Sequence, residues 1–149
     1  MIKAYVIFLL IVMQSVFIAQ DKPTLSFTFD DPNTNDAVIM DWRQKDDSLL
    51  STLDKYGLKA ALFVCGMRVD SPQGRELLDK WNGRGHLICN HSYSHKYYHS
   101  KKLTVEDFKY DFLRSDSIIM GYTGYTKLFR YPYLKEGNTI EKRDGFRAF

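Results

Sequence analysis

With 149 residues, 44% apolar and 26% charged, the chain has the composition of one globular domain able to bury a core, which excludes a disordered tail or a low-complexity linker. Its formal charge of +3 comes without a concentrated Lys/Arg block, so nucleic acid is not indicated as a partner.

At the N-terminus, Met1-Ile2-Lys3 carries one positive charge, Ala4 to Ile18 is almost wholly apolar, and Ala19-Gln20-Asp21 returns to polar sequence. That run is shorter than the roughly 20 residues a spanning helix needs, and it has the layout of a secretory signal. Residues 1–19 are therefore expected to be a signal peptide, with an uncleaved membrane anchor as the alternative. Residues 20–149 would then be an exported domain, periplasmic, cell-surface or secreted. Export opens Cys65 and Cys89 to pairing, but each lies in an apolar run, and free buried thiols are the favoured reading.

Thr24 to Phe29 is β-branched and aromatic, the first strand candidate, and it runs into Asp30-Asp31-Pro32. Residues 32–41 read as a loop. From Asp41 to Tyr56, the positions Trp42, Leu49, Leu50 and Leu53 form the inner face of a helix closed by Gly57. Leu58 to Val64 is a buried run, Ser71 to Trp81 a second helix, and His86 to Cys89 a third strand. Thr104 opens another helix with an N-cap pattern, Thr-Val-Glu-Asp, and Phe108, Phe112, Ile118 and Ile119 make its inner face. Lys127 to Tyr131 is a fourth strand, broken by Pro132, and Asn138 to Phe149 begins one more helix. Strands alternating with helices predict an α/β fold with a largely parallel sheet or barrel.

In such folds the chemistry gathers at the C-terminal strand ends, where Asp30-Asp31, Asn90-His91 and Arg130 all fall. Two adjacent carboxylates repel, so a positive partner is expected there. His91 and His95 are predicted to share a helical turn that aims both imidazoles to one side, as a metal requires. One carboxylate from another strand end completes a two-His, one-carboxylate site. His99, among Lys96, Tyr97, Tyr98 and Lys101, reads as surface; His86, before an apolar run, reads as structural. Tyr97, Tyr98, Trp42 and Trp81 are aromatic candidates for a sugar groove, although helix packing accounts equally well for the tryptophans.

Three segments in order resemble the polysaccharide deacetylases of carbohydrate esterase family 4, which share the NodB homology domain. They are Thr28-Phe29-Asp30-Asp31, Gly85-His-Leu-Ile-Cys-Asn-His91-Ser-Tyr-Ser-His95 and Phe129-Arg130-Tyr131-Pro132-Tyr133, with Tyr56 to Val64 matching between the first two. The resemblance covers most of residues 24–137 and implies a distorted (β/α) barrel. It implies that Asp31, His91 and His95 hold a divalent ion, zinc first among the candidates, which would polarise an acetamide carbonyl and lower the pKa of bound water towards about 7. Asp30 would be the general base and Arg130 its partner, favouring the ionised carboxylate. Tyr133 would offer its backbone N–H to the tetrahedral oxyanion. The implied reaction removes N-acetyl or O-acetyl groups from a polysaccharide or oligosaccharide. An inactive carbohydrate-binding domain and an amide hydrolase with a non-sugar substrate are the alternatives.

Two departures from the family stand out. The family usually has Gly between its second Asp and Pro, whereas Asp31 meets Pro32 directly, so that loop is expected to turn differently. Its later motifs supply an Asp and a leaving-group His acid; after Arg130 no His follows, and Asp144 is the one candidate for the Asp. The chain therefore reads as a barrel incomplete at its C-terminus, aggregation-prone and at best feebly active. Its first strand should have one edge unpaired, with apolar surface left open.

Overall fold

The computed structural model describes residues 24–149, so the expected signal at residues 1–19 and the boundary at residue 20 lie outside the described residues. The apolar runs extend into β1 (Phe27–Asp30), β2 (Ala60–Val64), β3 (Leu87–Asn90) and β4 (Tyr125–Phe129). All three neighbouring pairs are parallel, and the strand order is β1-β2-β3-β4. Between the strands run α1 (Trp42–Lys55), the short α2 (Gly66–Val69), α3 (Pro72–Gly83) and α4 (Val105–Ile119), with α5 (Ile140–Arg147) following β4.

Helix starts follow the side chains at their caps. Asp41 accepts the Gln44 N–H while Gln44 reaches back to the Asp41 N–H, and Thr104 and Asp107 repeat the arrangement on α4. Ser71 caps α3 with Pro72 behind it, and Thr139 caps α5. Each such cap stabilises its helix by about 1 kcal/mol. Several strand bounds differ from expectation: β1 starts at Phe27 rather than Thr24, β2 at Ala60 rather than Leu58, and β4 spans Tyr125–Phe129 rather than Lys127 to Tyr131. The β4 shift has a long-range cause. Ile88 donates its N–H to Gly124 O at 2.8 Å, so pairing with β3 begins just ahead of Tyr125. Only Gly fits there, because a Cβ on Gly124 would lie 2.3 Å from His86 O.

A sheet whose spatial order equals its chain order has no reversal point, so same-handed crossovers stack their helices on one face. That face carries the main core: Leu50 and Leu53 from α1, Leu77, Leu78 and Trp81 from α3, against Leu62, Val64 and Ile88. A second, aromatic cluster joins Tyr98, Phe108 and Phe146, with Phe129 and Tyr131 packed on it. The other face includes Leu87 and Leu128, both exposed, along an open groove of about 260 Å³ that Leu25 and Thr28 also line. Among the described residues β1 pairs only with β2, so the expected open edge is present. The architecture is an unclosed parallel arc of the expected α/β barrel.

Cys65 and Cys89 are free and buried, as expected. Burial pushes the Cys89 thiol up to about 11 and raises Cys65 as well, which disfavours the reactive thiolate at both. In the native protein at pH 8, an aromatic disulfide reagent is expected to find no reactive thiol over several minutes, and both thiols after unfolding in guanidinium. Rapid native labelling of either cysteine would contradict the burial.

Candidate metal centre

Asp31 leaves the end of β1 with its N–H donated to Phe63 O at 3.1 Å and a left-handed φ of 56°. Asp30, the last residue of β1, has its carboxylate Oδ1 held by Arg130 Nη1 at 2.5 Å, and the same nitrogen lies 3.1 Å from Thr28 Oγ1. The Arg130 guanidinium rests over the Phe63 ring at 4.0 Å, and its backbone N–H continues the sheet by donating to Asn90 O at 3.1 Å. The expected partner of the first carboxylate is therefore Arg130, reaching across the sheet.

His91 follows β3 and donates its N–H to Val64 O at 2.9 Å. Its Nδ1 lies 2.7 Å from Arg130 O. A carbonyl only accepts, so Nδ1 carries the proton and the Nε2 lone pair is left available. Burial lowers the His91 pKa below the ordinary histidine value, the bond to the carbonyl opposing it, which favours the neutral ring. His95 puts Nε2 3.3 Å from Asp31 Oδ2, and the two imidazole centroids are 5.0 Å apart. One ligand atom from each of Asp31, His91 and His95 lies within 4.8 Å of the others. Asp31 Oδ1 is buried without a hydrogen bond, its nearest cation being Arg68 Nε at 3.6 Å. Two imidazoles and a carboxylate are a donor set that could hold a divalent ion, the three atoms closing in slightly to reach bonds of about 2.0–2.2 Å.

One expectation needs correcting. Residues 91–95 are not a helical turn but an irregular loop, in which Ser92 (φ 64°) and His95 (φ 53°) are left-handed. The histidines converge because the loop is held from outside, not because of a helical repeat. The five non-glycine residues with positive φ among those described are Asp31, Ser92, His95, Tyr133 and Leu134, all in the three loops that meet here. At about 1–2 kcal/mol each, such conformations persist only where surrounding contacts over-determine them.

Tyr133 sits on a 3₁₀ turn at Pro132–Leu134, its ring edge-on to His95 at 4.8 Å, and Tyr97 stands perpendicular to Tyr133 at 5.4 Å. Of the aromatic groove candidates, Trp42, Trp81 and Tyr98 are buried in the cores and Tyr97 alone is exposed. His99 is at the surface, with Nδ1 2.6 Å from Gly137 O. His86 is structural: fully buried, it accepts the Ala60 N–H at 3.2 Å. Sequence reading passed over Arg68 and Asp111. Asp111 was detectable, since an acid between Phe108 and Phe112 falls on the apolar face of its helix.

Residues 18–148 match the family model of polysaccharide deacetylases. No curated protein matches the chain significantly. Among solved structures, it is 27% identical to the peptidoglycan deacetylase PdaC from Bacillus subtilis, with a TM-score of 0.65 over 85% of this chain and 56% of that one. A family 4 carbohydrate esterase from Streptomyces lividans, solved with acetate, is 28% identical, with a TM-score of 0.62 over 83% of this chain and 57% of its own. The family 4 domain of a xylanase from the hindgut metagenome of Trinervitermes trinervoides shares the fold, at 21% identity and a TM-score of 0.60 over 79% of this chain and 51% of that one. The chain thus spans about half the length of these structures. The match along nearly its whole length, carried on the same parallel sheet, makes this chain a member of the polysaccharide deacetylase family.

Proposed function

We propose that this chain belongs to a metal-dependent hydrolase that removes acetyl groups from an acetylated amino-sugar polymer, with zinc as the ion. The observation that carries the reading is the convergence of Asp31, His91 and His95 beside an Asp30 already paired with Arg130. When bound, the ion supplies Lewis acidity towards an acyl carbonyl and towards water. Asp30 has one carboxylate oxygen tied to Arg130, which orients the group and leaves Oδ2 to take a proton from the attacking water. The Tyr133 backbone N–H is the donor assigned to the developing oxyanion. Water adds to the acyl carbon, the C–N bond breaks, and acetate and a free amine are the products.

Family membership supports the reaction class, and the peptidoglycan named for the Bacillus subtilis relative supports a cell-wall amino sugar as the first substrate to test. Such a substrate lies outside the cytoplasm, in keeping with the export expected from residues 1–19. Among the described residues no helix is long and apolar enough to cross a membrane.

The purified chain is expected to hold close to one zinc ion, removable by a chelator. His91→Ala should weaken zinc binding by more than about 100-fold, because even groups that only support a ligand are worth about 10–100-fold. Acetate release from an N-acetylglucosamine oligomer should depend on restored zinc. Equal zinc content in the wild type and His91→Ala would refute the site. Release from O-acetylated xylan alone would move the substrate from amide to ester.

A further inference from the structure

The loop that carries both histidines is gripped from two sides. On one side the start of α2 donates: Gly66 N–H to Ser92 O at 3.0 Å and Met67 N–H to Tyr93 O at 2.9 Å. The approach is close enough that a Cβ on Gly66 would lie 2.8 Å from the Tyr93 ring. On the other side stands one side chain of α4, Asp111, which is only 4% exposed. Its Oδ2 accepts the Tyr93 N–H at 3.1 Å and the Ser94 N–H at 3.0 Å, and its Oδ1 accepts the Ser94 hydroxyl at 2.5 Å. The Asp111 backbone carbonyl shares the Tyr93 N–H at 3.0 Å, and Lys96 Nζ is 3.9 Å from Oδ1. Apart from the Lys96 contact, all of these bonds fall on residues between His91 and His95.

We propose that Asp111 is the positioning residue of the metal centre: its buried carboxylate holds residues 93–94 so that His91 and His95 face one point. The inference rests on the metal reading above and adds a residue to it. The physical case is local. Ser92 and His95 are both left-handed, a state that non-glycine residues leave unless other contacts hold them. Three donors ending on one carboxylate make such a hold, and an acceptor of this shape is hard to replace, since removing it leaves the Ser94 N–H and hydroxyl without this partner and the Tyr93 N–H with the Asp111 backbone carbonyl alone. Asp111 lies twenty residues beyond His91 and touches neither imidazole by hydrogen bond, so its effect on the ion passes through the loop backbone.

The test compares zinc dissociation constants, by competition with a chromogenic chelator, and cobalt(II) absorption spectra for the whole chain and its variants. Asp111→Ala is expected to weaken zinc by about 10–100-fold and to change the cobalt spectrum. Asp111→Asn keeps an oxygen for the two N–H groups and an amide to donate to the Ser94 hydroxyl, so it should stay within about 3-fold of wild type with the wild-type spectrum. Ser94→Ala removes one of the three bonds without threatening the fold and should cost about 2- to 10-fold. A residue serving stability alone would lower the unfolding temperature of the zinc-free protein but leave zinc affinity and the cobalt spectrum unchanged; that result in Asp111→Ala overturns the proposal. If Asp111→Ala does not fold, unchanged affinity in Ser94→Ala overturns it instead. A loss in Asp111→Asn as large as in Asp111→Ala would overturn the hydrogen-bond basis. Failure of the wild-type chain itself to bind zinc removes the metal reading, and the positioning role falls with it.

Discussion

Replacing Asp30 by Asn is expected to leave zinc content unchanged while cutting acetate release by about 10²–10⁴-fold, the usual worth of a positioned acid or base. The separation follows from geometry. Asp31, not Asp30, sits in the three-residue cluster, and Asp30 is turned to Arg130 at 2.5 Å. Asn has the same size and still offers an oxygen to Arg130, so the strand end and the metal ligands should stay in place. What it loses is the ability to accept a proton at neutral pH. The measurement is acetate release from an N-acetylglucosamine oligomer, normalised to bound zinc, for both proteins under one set of conditions. A variant that retains its zinc and turns over within about 3-fold of the parent would mean that the base lies elsewhere. A variant that loses its zinc would mean that Asp30 shares in holding the ion.

The largest expected effect on stability belongs to Trp81→Ala, at about 3–5 kcal/mol. Trp81 is 2% exposed, packs against Phe29 and His86 at centroid distances of 5.6 and 5.0 Å, and donates its indole N–H to Asp46 Oδ1 at 2.7 Å. Deleting it opens a cavity beneath β1 and strips the buried Asp46 of its donor. Burial already raises the Asp46 carboxyl above its ordinary range, with the Trp81 bond opposing that rise. Such a loss is a large share of the roughly 5–15 kcal/mol that holds a domain together. Urea unfolding checks it, and Trp81→Phe separates the terms, because it retains most of the volume and should lose about 1–3 kcal/mol for the unpaired acceptor. A cost below about 1 kcal/mol for Trp81→Ala would show that the site collapses freely. Phe29 precedes Asp30 and Asp31 directly, so the same packing also steadies the candidate metal centre.

Much of this protein was legible from local pattern. The caps at Thr104 and Ser71 and the inner faces at Leu77, Leu78 and Trp81 follow from backbone needs and a 3.6-residue period that each segment contains within itself. The pairing of Asp30 with Arg130 was anticipated through the family resemblance, whereas charge and strand order alone called only for some positive partner at the two carboxylates. The helix starts and inner faces need only spacing and periodicity. Other features were beyond the reach of spacing. Four residues between His91 and His95 suggested a helical turn, and the same convergence is achieved by an irregular loop. Its shape comes from Gly66 and Met67 on one side and Asp111 on the other, residues distant in the chain. The start of β4 likewise depended on the close approach of Gly124 to His86 O. The sequence by itself determined the elements, their order and the chemical types at the strand ends, because propensity and periodicity act within a few residues. Only the tertiary structure decided which of those groups meet and what holds them in strained conformations, because those forces act between segments that become neighbours only once the sheet has formed.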